Sequence, residues 1–140
     1  MVPIIDLARE ARRELDLTQE AQRREAERRQ REQEVQRLMD LQSGMQCWFP
    51  RLHEYAHYEC RAGAAYAVLV ADTGHEILIS REVDRHSCNQ YIWEVEIRWR
   101  GDSLWTNQWY QHGGSETEAH VLVWIVDRLM GKAEYDDIPF

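Results

Sequence analysis

The sequence of 140 residues is poor in several residue types: three cysteines, three prolines, two phenylalanines and a single lysine, Lys132. An odd, small number of thiols argues against a disulfide framework and suits a reducing, cytoplasmic setting. No stretch approaches the roughly 18 consecutive apolar residues of a membrane helix, so no membrane partner is expected. The opening MVPIIDLARE has no basic cap, long apolar core or small-residue cleavage site, so no secretion signal is expected either. There is no phosphate loop, dinucleotide fingerprint or Gly-x-Ser-x-Gly elbow. No cofactor is therefore expected, and no catalytic residue is assigned.

What is present is a chain of one-domain size, 44% hydrophobic and 30% charged, which can bury a modest core. The net charge of −8 is unevenly placed. Residues 1–43 hold nine basic and ten acidic groups, residues 44–131 seven and twelve, and residues 132–140 one and three. An acidic body is poorly suited to nonspecific clamping of a phosphate backbone.

The hydrophobic pattern predicts an α+β fold. Ile4, Leu7, Ala8, Ala11 and Leu15 recur at helical spacing. From Gln19 to Glu34 the chain is almost wholly polar, with Glu20–Arg24, Glu25–Arg29 and Glu27–Arg31 four apart in the favourable order. Val35, Leu38, Met39 and Leu41 follow, and Gly44 reads as the stop. This predicts a long charged helical arm over residues 1–44. No heptad persists long enough to establish a regular coiled coil, yet the apolar ends make the arm a pairing device for a homodimer. A second helix is expected from Pro50 to Ala62. Four antiparallel strands should follow, at 64–71, 75–83, 91–100 and 104–111, joined as a meander with Asp72-Thr73-Gly74 as a tight turn. Ser115 and Glu118 read as the capping box of a last helix that covers one sheet face. The core domain is thus placed at 45–131 and a tail at 132–140.

The tail carries Asp136, Asp137, Ile138, Pro139 and Phe140. A final Phe offers a ring and a carboxylate on one residue, suited to an apolar pocket with a basic rim. Pro139 lowers the ordering cost, and the acids speed encounter with a basic surface. These residues resemble the acidic tip of bacterial single-stranded-DNA-binding proteins, which dock replication, recombination and repair enzymes through it. The resemblance spans Tyr135 to Phe140 only. The rest departs from that family: the oligonucleotide-binding barrel cannot be traced, and the long flexible linker is nearly absent. The order of four strands and a helix is similar to that of Whirly-type single-strand binders, in topology alone.

Single-strand binding needs aromatic faces and positive charge. Trp93 and Trp99 share a strand face with Val95 and Ile97 and are expected in the core. Trp105 and Trp109, beside Asn107 and Gln111, are the candidates for an exposed stacking platform, with Arg98 and Arg100 as phosphate contacts. Glu94 and Glu96 oppose that role. Separately, His53-Glu54-Tyr55-Ala56-His57 matches HExxH on a predicted helix and resembles the zincin metallopeptidase motif, with Glu76 at the spacing of a third ligand in one branch. Cys60 continues the same helix face, and Cys47 or Cys88 could complete a structural zinc site.

The expectation is an accessory protein of DNA replication or recombination, of phage type, that docks a DNA-processing enzyme through its tail and takes single-stranded DNA as a second partner. A small zinc metallopeptidase and an inhibitory adaptor acting through an acidic surface are the alternatives.

Overall fold

The computed structural model describes residues 1–83, 91–110 and 117–131. Its elements are helix α1 (Ile4–Trp48), helix α2 (Pro50–Tyr55), strands β1 (His57–Arg61), β2 (Ala64–Val70), β3 (Glu76–Val83), β4 (Tyr91–Trp99) and β5 (Asp102–Tyr110), and helix α3 (Thr117–Met130). The architecture is α+β, as the pattern predicts, but the antiparallel sheet has five strands, ordered β1-β2-β3-β4-β5, rather than four.

The chain divides into two compact units, residues 1–36 and 37–140. Within the first unit, the helix is held along its surface by its own side chains. Arg24 donates to Glu20 at 2.8 Å, and Arg28 bridges Glu25 and Glu32, each at 2.6 Å. Arg29 reaches Glu25 at 3.2 Å, while Arg31 turns to the Glu27 carbonyl instead of its carboxylate. The stretch from Gln19 to Glu34, polar all round, persists through such pairs rather than by burying a stripe. Ile4, Ile5, Leu7 and Leu15 are exposed.

In the second unit, α1 runs through Gly44 to Trp48 instead of stopping there. Leu41 and Met45 lie on its buried face, and a glycine inside this turn serves packing. A Cβ at Gly44 would overlap the Arg81 guanidinium and sit 3.2 Å from Trp93 Cη2. Helix α2 ends at Tyr55, not at Ala62. Ala56 is already extended, and His57–Arg61 pairs antiparallel with Ala64–Val68. The apparent helical stripe at Leu52, Tyr55, Ala56 and Cys60 is therefore a one-turn helix followed by alternation. Ala62 and Gly63 take positive φ of 50° and 80°, the left-handed pair that a two-residue hairpin needs. The same device recurs at Arg100 and Gly101, so β5 starts at Asp102.

One sheet face is covered. Ala67, Leu69, Ile77, Ile79, Trp93, Val95 and Ile97 form a single core with Leu41, Met45, Phe49, Leu52, Val121 and Ile125. Phe49 meets Trp93 edge to face at 4.7 Å. Burying each such large side chain contributes about 1.5–3 kcal/mol. The other face carries alternate residues of the strands: Glu59 and Arg61, Tyr66 and Val68, Glu76 and Leu78, Glu94, Glu96 and Arg98.

Candidate functional site

The alternation of β4 and the register of β5 decide where the expected nucleic-acid residues lie. Trp93 stands opposite Trp109, Val95 opposite Asn107 and Ile97 opposite Trp105. Opposed residues in an antiparallel pair share a face. Trp105 and Trp109 are thus on the helix-covered side, half-buried and packed against the core, with Trp109 edge-on to Trp124 of α3 at 5.3 Å. They do not form the exposed platform expected of them. Their sharing of a face with Asn107 was readable from sequence; which face α3 would cover was not. Trp93 is fully buried, as expected, whereas Trp99 is half-buried, its ring tilted against that of His75 at 4.5 Å.

Arg98 lies on the opposite face. Its guanidinium donates to Glu96 at 2.9 Å. Arg61 likewise bridges Glu76 at 2.7 Å and Glu59 at 2.6 Å. These bonds hold the Glu76 and Glu96 carboxyls below their ordinary pKa and raise those of Arg61 and Arg98. Arg100 is exposed at the β4–β5 turn, beside the ring of Trp99 at 5.2 Å. The four expected residues therefore do not converge: two tryptophans face the core, one arginine is neutralised on the far side, and one sits at a turn.

The HExxH residues also separate. His53 is on α2, but His57 is on β1, so they are not one turn apart on a common helix face. His53 Nδ1 lies 2.6 Å from the Tyr58 hydroxyl, whose pKa burial pushes up to about 12. His57 is exposed, 3.9 Å from Glu59. Glu76 is held by Arg61. Cys47 is exposed and Cys60 half-buried, and among the described residues neither is in a disulfide. Among the described residues no group of three or more His, Cys, Asp or Glu side chains is placed to hold a metal ion. Cys88 lies outside the described residues.

A cleft of about 640 Å³ opens between the last turns of α1 and one end of the sheet, lined by Arg37, Asp40, Tyr66, Arg81, Tyr91 and Glu94 among others. Its cations are already engaged. Arg37 donates to the Gly63 carbonyl. Arg81 donates to the Asp40 carbonyl at 3.2 Å and stacks over Tyr91 at 4.2 Å. With acids and engaged arginines interleaved, the cleft presents no field of one sign to a charged ligand. Sequence reading missed it because its walls, residues 37–41, 63–66, 80–82, 91 and 94, are distant along the chain and meet only in the fold.

Asp136, Asp137, Ile138, Pro139 and Phe140 lie outside the described residues, as does Ser115. No known protein family, curated protein or solved structure matches the chain. No helix among the described residues is long and apolar enough to cross a membrane.

Proposed function

We propose that this protein is an adaptor that docks a DNA replication or recombination enzyme through Asp136, Asp137, Ile138, Pro139 and Phe140, with the folded body as its carrier. The observation that carries the reading is that run itself: two acids, an apolar residue, a proline that fixes φ, and an aromatic ring. The ring and Ile138 would enter an apolar pocket, and the acids would meet its basic rim. In the body, the pairing of Arg98 with Glu96 and the half-burial of Trp105 and Trp109 favour recruitment without strand contact by Arg98, Trp105 and Trp109.

The test uses the immobilised full chain and a panel of purified replication, recombination and repair enzymes. Wild type retains at least one enzyme. Phe140→Ala weakens that capture about tenfold or more, as loss of a buried aromatic anchor does. Asp136→Asn with Asp137→Asn chiefly flattens its salt dependence. Capture of none, or capture unchanged when residues 138–140 are deleted, overturns the proposal.

A further inference from the structure

The two edges of the sheet are built differently. β1 has five residues, and its Glu59 and Arg61 are charged. Short, charged edge strands resist pairing with another chain. β5 has nine residues, DSLWTNQWY, with no proline, no lysine and a single charge, Asp102, at its start. It is the last strand in the sheet order, so among the described residues no strand pairs with its outer side. The Gln108 N–H shows which way that side points. It donates to the neighbouring Asn107 Oδ1 at 2.9 Å, and the Ala71–His75 backbone bond, carried across the strand registers, turns it away from β4. Backbone groups alternate in direction along a strand, so those of Thr106 also point outward.

We infer that β5 pairs antiparallel with β5 of a second copy, joining two sheets into one of ten strands about a two-fold axis at Asn107. The residues of β5 select this partner and this register. With Asn107 facing the second copy's Asn107, Thr106 meets Gln108, Trp105 meets Trp109 and Leu104 meets Tyr110. Every pair is matched in character, and a cross-strand aromatic pair is among the stabilising kinds. Centring on Thr106 instead sets Trp105 against Asn107, Leu104 against Gln108 and Asp102 against Tyr110, which matches nothing. Thr106 and Gln108 exchange the outward backbone bonds in the favoured register, the Gln108 N–H leaving Asn107 Oδ1 for the second copy's Thr106 carbonyl. Leu104 and Tyr110, 43% and 50% exposed, gain a neighbour on the open face. The bulge between Ile97 and Arg98 leaves Leu104 without a partner in β4. The dimer expected from the sequence is thus assigned to a sheet edge. The arm's seam is interrupted by the polar run from Gln19 to Glu34.

Sedimentation velocity of the full chain over a concentration series tests the assignment, with far- and near-ultraviolet circular dichroism reporting the fold. Wild type sediments as a dimer. Thr106→Pro removes an outward N–H that β4 does not use and gives a folded monomer. Asn107→Lys and Asn107→Asp place like charges together at the axis and each gives a monomer. Mixing the two restores a dimer, because residue 107 then faces its opposite. A wild-type monomer at every concentration, a dimer indifferent to Thr106→Pro and Asn107→Lys, or a mixture no better associated than its components overturns the inference.

Discussion

The Glu118 carboxylate, on α3, accepts the backbone N–H groups of Arg51 at 3.0 Å and Leu52 at 3.3 Å, sixty-odd positions away at the start of α2. Phe49, in the N-cap position of α2, supplies no side-chain bond, and Pro50 has no N–H to satisfy. Glu118 is the only buried charged residue of the described core, and its role is to cap another helix. Glu118→Ala should therefore cost about 1–3 kcal/mol by leaving buried donors unpaired, measured by urea unfolding. Glu118→Gln keeps an acceptor and should cost less. Arg51→Ala, whose side chain is 76% exposed, should be nearly silent.

Gly44 and Arg81 should prove coupled. Alanine in a helix interior is ordinarily about 1 kcal/mol better than glycine. Here the added Cβ displaces the guanidinium from the Asp40 carbonyl and from the ring of Tyr91. Gly44→Ala should destabilise wild type by about 1 kcal/mol and become neutral or favourable in an Arg81→Ala background. A double-mutant cycle in denaturant measures the difference.

The open sheet face should confer acid sensitivity. Arg61 bonds lower the Glu76 pKa, and Arg98 bonds lower that of Glu96. A carboxyl whose folded pKa lies below its unfolded value, about 4.3, stabilises the fold fully above that value. The contribution fades as pH falls from there through the folded pKa. Unfolding free energy should be flat from about pH 5 to 7 with respect to these groups and decline below. Glu76→Gln with Glu96→Gln should remove part of that slope, read from denaturation at stepped pH.

Trp109 should matter to stability rather than to nucleic acid. Trp109→Ala strips a half-buried ring from the core and from Trp124, costing about 2–4 kcal/mol by thermal or urea unfolding. Arg98→Ala should leave any quenching of tryptophan fluorescence by a single-stranded oligonucleotide unaltered, since that guanidinium is bound to Glu96 on the far face.

The local pattern determined much of this protein. The polar helix, the Asp72–Gly74 turn and the alternation of β4 follow from spacing and turn chemistry between near neighbours, which energetics of one or two turns decide. Strand β1 was legible in principle, for His57–Arg61 alternates. Ala62 concealed it, because a left-handed residue there is normally Asn, Asp or Gly. Only tertiary structure decided the rest. Whether Trp105 and Trp109 meet bases or core depends on which face α3 covers. Whether Gly44 ends a helix depends on Arg81 and Trp93 arriving beside it. The Glu118 carboxylate meets the start of α2 only because the fold brings that helix beside it. In each case the residue's partner is far along the chain, and a sequence window records neighbours in order, not neighbours in space.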